Sequence, residues 1–149
     1  MSNMSNKTMP LLSGIDHCHI NVNNLSNAVT WYEKVLGFKV VEELAFWDET
    51  GKGPLTLQDQ NTTTRLALFE GQVRSKGIAF GATGEQFIAW LAHFKSMDIK
   101  TVLADHGVTF SIYFKDESDN NHEITSHDYE HIKMFYPSVE QGSHSAKKS

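Results

Sequence analysis

The sequence predicts an α+β fold made of two consecutive strand-helix-three-strand modules. Three observations lead there. Residues 15–22 alternate in polarity as a strand does, apolar residues then recur at helical spacing as far as Gly37, and the same order of elements begins again at Gly77.

In the first strand Cys18, Ile20 and Val22 share one face, while His17, His19 and Asn21 share the other. The following helix is expected over Leu25 to Leu36, because Leu25, Val29, Tyr32 and Leu36 form a stripe. Asn24 or Ser26 can cap its start, and Gly37 can take the left-handed conformation that stops it. Strands are expected over Phe38 to Phe46, Leu55 to Gln58 and Thr63 to Phe69, with turn-forming residues from Asp48 to Pro54 between the first two. The second module opens with Gly77 to Gly81. Its helix, Glu85 to Met97, follows a capping box in which Thr83 and Gln86 satisfy each other's backbone donors, and Phe87, Ile88, Leu91 and Phe94 supply the buried stripe. Ile99 to Leu103, Val108 to Phe114 and His122 to Ser126 complete the count.

A chain of 149 residues supports one ordinary core, and its 40% hydrophobic and 21% charged residues are those of a globular domain rather than a disordered or membrane-embedded chain. No apolar run approaches the roughly 20 residues of a membrane helix. Residues 1–13 are polar and are expected to form a disordered tail, with no secretory signal and therefore a cytoplasmic location. The net charge of -5 is dispersed, and Lys147-Lys148 is the only compact basic group, so nucleic acid is not an expected partner. One cysteine, Cys18, cannot form an internal disulfide and is expected in the core. The domain is expected to span 14–128, followed by a partly disordered extension over 129–149.

Residues 14–22, Gly-Ile-Asp-His-Cys-His-Ile-Asn-Val, together with Trp31-Tyr32-Glu33-Lys34-Val35-Leu36-Gly37-Phe38, resemble the opening of vicinal-oxygen-chelate proteins, the superfamily of glyoxalases, bleomycin-resistance proteins and extradiol dioxygenases. Residues 113–123 resemble that family's Tyr-Phe-x-Asp-Pro-Asp-Gly-Asn-x-x-Glu run. Glu117 stands for the Pro and Asp119 for the Gly, so Asp119 must accept a conformation glycine usually takes. The resemblance implies that the modules curl into a mixed-sheet cup with the helices outside. It also implies a homodimer, which the exposed sheet edges favour.

The same resemblance puts His17 and Glu123 at two metal-ligand positions. An imidazole and a carboxylate suit iron, manganese, nickel or zinc while leaving room for substrate oxygens. The family's ligand histidine at the head of the second module is replaced by Gly77, which has no donor. Glu70 is a further candidate if it reaches inward, with His19 as a possible fourth. A metal is therefore expected to be weakly bound or absent, and Gly77→His is expected to strengthen binding.

Tyr113, ten residues before Glu123, matches a tyrosine that positions and deprotonates catechols in extradiol dioxygenases, and His106-Gly107-Val108-Thr109 resembles a segment of the same enzymes. Tyr113 and His106 are thus the catalytic candidates. His19, Asn21 and Tyr113 are the candidates for binding substrate, and His17, Tyr113 and Glu123 are expected to converge on one cavity. Trp47 precedes a Gly- and Pro-containing loop, where it either flanks the cup mouth or covers the core. Two functions follow from this set. One is a protein that binds a small oxygen-bearing molecule in a cup with a degenerate metal site. The other is a metal-dependent lyase, isomerase or ring-cleaving dioxygenase.

Overall fold

The computed structural model describes residues 9–136. It contains two four-stranded mixed sheets, one per module, each with its own helix. The first module runs β1 (Cys18–Val22), α1 (Leu25–Trp31, continued by a π-helical turn over Tyr32–Leu36), β2 (Lys39–Val40), a 3-10 helix (Glu42–Trp47), β3 (Leu55–Gln58) and β4 (Arg65–Glu70). The second runs β5 (Ala79–Gly81), α2 (Gly84–Ser96), β6 (Val102–Asp105), β7 (Phe110–Lys115) and β8 (Asn121–Ser126), and α3 (Tyr129–Phe135) follows. The strand orders, β1-β4-β3-β2 and β5-β8-β7-β6, are the same in both. In each, the first strand lies parallel to the last and the other neighbours are antiparallel.

Helix starts and stops follow side-chain chemistry. Asn24 is the residue that caps α1, its Oδ1 accepting from the Asn27 N–H at 2.8 Å. Gly37, at φ 79°, ends it. The Thr83–Gln86 capping box forms as expected, with bonds of 2.8 and 3.1 Å. Asp119 holds φ 70°, so an aspartate does take the turn position expected of glycine.

The expected strand Phe38 to Phe46 is a correction. Pairing stops after Val40, Val41 still donates to the Thr56 carbonyl, and Glu42–Trp47 then winds into a 3-10 helix with no buried residue. Glu42, Glu43, Leu44 and Ala45 do not alternate in polarity and are better helix than strand formers. β6 begins three residues later than expected, at Val102. The expected tail 1–13 lies mostly outside the described residues, as does the extension beyond 136; within the extension, Tyr129–Phe135 is helical and buries Ile132.

One core serves both modules. Ile20, Val22, Leu66 and Leu68 from the first sheet join Phe110, Ile112, Phe114 and Ile124 from the second, with Tyr32 and Phe94 from the helices. Because strand side chains alternate, the opposite face of each sheet looks away from this core. The histidine face of β1 and the Glu123 face of β8 are those two outward faces.

Candidate functional site

On the first sheet, Asp16, His17 and His19 form a hydrogen-bonded row. The Asp16 carboxylate lies 2.8 Å from His17 Nδ1, and the two Nε2 atoms of His17 and His19 lie 3.0 Å apart. A proton on one of those nitrogens is shared with the other, and the carboxylate favours the tautomer that keeps a proton on His17 Nδ1. The two rings stack at 4.9 Å, and Phe69 packs on His19 at 5.2 Å. The parallel register pairs His19 with Ala67, so the outward residues of β4 are Arg65, Ala67 and Phe69. The 3-10 helix lies over this face, and the enclosed cavity of about 190 Å³ is lined by His17, His19, Trp47, Arg65 and Phe69, among others. Trp47 therefore flanks the cavity mouth.

On the second sheet, Tyr113 pairs with Glu123 across β7 and β8, and Ala79 pairs with Glu123 from β5. Ser111 donates to Glu123 Oε2 at 3.0 Å, and His106 Nε2 meets the Tyr113 hydroxyl at 3.1 Å. Burial and then the nearby Glu123 charge push the Tyr113 phenol above its ordinary value, partly offset by Ser111. A phenol held protonated beside a histidine and a carboxylate can donate a hydrogen bond to a ligand oxygen.

The structure thus groups the expected residues in two sets, His17 with His19 and Tyr113 with His106 and Glu123. Tyr113 and Glu123 do not line the cavity that holds His17. The cavity that holds His17 is thus lined without the two partners expected to converge on it, and both sets sit on faces turned away from the shared core. Asn21 lies at the end of the first face, but its amide donates to the Val73 carbonyl at 3.0 Å and secures the segment between modules.

Glu70 departs from expectation more sharply. It pairs with Val22 in the register and so shares the core-side face. Its Oε2 accepts from the Leu25 N–H at 3.0 Å and its Oε1 lies 3.7 Å from Lys52 Nζ, so this carboxylate caps α1 rather than joining His17. Gly77, the position without a donor, is also a position without room. It sits at φ 107°, and a Cβ there would run into the Asn121 backbone carbonyl oxygen. The expectation that Gly77→His rebuilds a ligand is therefore corrected: the side chain has nowhere to go unless the β5–β8 edge moves.

Sequence reading missed the cluster beneath. His122 Nδ1 accepts from the Ile78 N–H at 3.1 Å, which leaves the ring proton on Nε2, 2.9 Å from the Tyr32 hydroxyl. That hydroxyl donates to Asp116 Oδ2 at 2.6 Å. Burial alone would raise the Asp116 carboxyl, but bonds from His122, Tyr32 and Asn120 outweigh it and hold it below the usual range. Burial, with Asp116 beside it, pushes the Tyr32 phenol far up. The signal was present in the alternation: His122, Ile124 and Ser126 occupy the face opposite Glu123. What the alternation does not reveal is that Tyr32 of the other module supplies the partner.

A family model described as the Glyoxalase/Bleomycin resistance protein/Dioxygenase superfamily matches residues 14–124. Lactoylglutathione lyase from Agrobacterium tumefaciens is similar in structure at a TM-score of 0.66, with 18% identity, over 80% of this chain and 97% of that one. The genomically encoded fosfomycin resistance protein FosX from Listeria monocytogenes is similar at 0.62, with 16% identity, over 79% and 92%. A virulence protein from Salmonella typhimurium is similar at 0.57, with 18% identity, over 79% and 99%. No curated protein matches the chain. At these identities the structural likeness speaks to the fold.

Proposed function

This chain belongs to the glyoxalase/bleomycin resistance protein/dioxygenase superfamily, and on that premise we propose that it binds a small oxygen-bearing molecule in a cup, with a degenerate metal site. The observation that carries this reading is the pair of outward faces. Each presents polar groups suited to ligand oxygens, and each is flanked by exposed apolar side chains, Ile15 and Trp47 on the first and Val102 and Val108 on the second. Apolar surface beside an unpaired sheet edge favours a second copy. The cup is then completed in a homodimer, where the His17 face of one copy meets the Tyr113 and Glu123 face of the other.

The donor set does not fit a resident divalent ion. Among the described residues no three His, Cys, Asp or Glu side chains gather to hold one, Gly77 has neither donor nor space, and Glu70 is committed to α1. Pairing two copies would bring His17, with His19 beside it, to the Glu123 of the other copy, a set that still lacks the histidine the family carries at the head of the second module. The alternative, a metal-dependent lyase, isomerase or dioxygenase, needs the ligand that is missing. Among the described residues no helix is long and apolar enough to cross a membrane.

Sedimentation equilibrium tests the shared cup. A dimer at micromolar concentration that Val102→Glu or Ile15→Glu dissociates is the expected result. A monomer at that concentration, with both faces open to solvent, would contradict it.

A further inference from the structure

The cavity on the first sheet's outward face is built from one module alone, and its lining has a chemical bias that the shared-cup reading does not specify. Its volume is about 190 Å³. A cavity of about 150 Å³ takes up benzene, so this one has room for a six-membered ring bearing one small group. Its walls carry rings: Trp47 and Phe69 are aromatic, and the His19 ring packs against Phe69 at a tilt of 59°. Ala67 leaves the centre of the floor without a long side chain.

One lining residue carries a fixed positive charge. Arg65 is half-buried and held by a 2.9 Å bond from its Nε to Gln58 Oε1, and among the described residues no other hydrogen bond or ion pair engages its guanidinium. The two terminal nitrogens are thus the donors left for a ligand, and a guanidinium fork matches a carboxylate better than any other common group. The acid among the lining residues, Asp16, is 83% exposed in its side chain and already bonded to His17, so it stands at the rim.

The lid completes the case. The 3-10 helix Glu42–Trp47 buries none of its own residues, yet Leu44 and Trp47 reach the cavity, and Trp47 is left 48% exposed. A flat ligand beneath this element would cover part of the exposed Trp47 ring and so add apolar contact.

We infer that this cavity is a site for a small planar carboxylate, an aromatic or conjugated acid whose ring lies between Trp47 and Phe69 and whose carboxylate meets Arg65. The inference rests on the proposed function only in taking this face as ligand-binding. It does not require the second sheet, a metal or a partner copy.

Benzoate and its neutral isostere benzamide are the probes, followed by ligand-observed NMR for affinity and by tryptophan fluorescence for place. Benzoate is expected to bind one per chain and to change the fluorescence, and Trp47→Phe to remove that change while Trp31 and Trp90 remain. Benzamide is expected to bind at least about tenfold more weakly, the worth of one charge-assisted contact. Arg65→Gln is expected to erase the preference and Arg65→Lys to keep part of it. Equal affinity for the two probes overturns the carboxylate assignment, and the comparison uses the unmodified protein, so it stands even if the Arg65 variants fail to fold. No benzoate binding, or benzoate binding that leaves Trp47 unmoved, overturns the site. Sedimentation reports on the shared cup alone, so either idea can fail without the other.

Discussion

The outward face of β4 carries Arg65, Ala67 and Phe69 under a short helical lid, whereas the outward face of β8 carries Asn121, Glu123 and Thr125 beside Tyr113, with no corresponding helix between β6 and β7. The strand order is the same in both modules, so the difference lies in what the pleat presents and what covers it. The first face encloses a cavity walled by rings. The second carries two hydrogen-bonded pairs, Ser111 with Glu123 and His106 with Tyr113. A repeated module can thus keep its backbone and present different faces, a ring-lined cavity on one sheet and polar groups on the other.

Glycine positions in the second module break this comparison most severely. Gly77→His places a side chain against the Asn121 carbonyl at a left-handed backbone position, and a loss of about 4 kcal/mol or outright misfolding is expected. Gly81, the last residue of β5, has nothing within 4 Å of an added Cβ, and Gly81→Ala should change stability by less than about 0.5 kcal/mol. Chemical denaturation of the pair measures the contrast. Equal losses would mean that the closure at Gly77 is not what the geometry indicates.

The buried junction between modules comes next. Asp116→Asn removes a charge that Tyr32, His122 and Asn120 all engage, and breaking such a buried cluster is expected to cost about 3 kcal/mol. The pH dependence has a definite sign. The folded carboxyl sits below its ordinary value, so its contribution is fully present above about pH 4 and is lost as pH falls through the lowered pKa. Stability curves of wild type and Asp116→Asn should therefore converge in acid. Curves that stay parallel would show that the charge is not what the cluster holds.

Its neighbour has the opposite sign. Burial raises the Glu117 carboxyl, partly offset by Ser118, and its Oε1 is buried without a partner. Ionisation therefore costs stability as pH rises past the ordinary value towards the raised one. Glu117→Gln should stabilise the protein by about 1 kcal/mol near neutrality, a figure kept small because the residue is only partly buried. A destabilised variant would count against this account. The smallest effect is electrostatic. Glu123→Gln removes the charge that helps keep the Tyr113 phenol protonated, so its ultraviolet titration should move down, and no movement would place the carboxylate too far away to matter.

Much of this was readable from the sequence, and the limits are physical. Alternation from His17 to Val22 fixed which side chains share a face, and the stop at Gly37, the Thr83 box and the Asp119 turn follow from local chemistry. The sequence left Asn24 and Ser26 as equal caps; the structure uses Asn24. Alternation correctly put Leu68 and Glu70 together, but which face they take depends on the parallel register with β1, a non-local quantity. The strand expected over Phe38 to Phe46 failed because tertiary pairing ended after Val40. At Gly77 the missing donor is visible in the letters, while the missing space is visible only against Asn121. The Tyr32, Asp116 and His122 cluster joins positions more than 80 residues apart, beyond the reach of any local pattern.

The central claim is a cup that works without a resident metal, and calorimetric titration of the purified wild-type protein with manganese, nickel, iron(II) and zinc tests it most directly. The account predicts no tight one-to-one binding, since Gly77 offers neither a donor nor room for one and Glu70 is committed to α1. Tight stoichiometric binding that His17→Ala or Glu123→Ala abolishes would contradict it and make the metal-dependent enzyme the better reading.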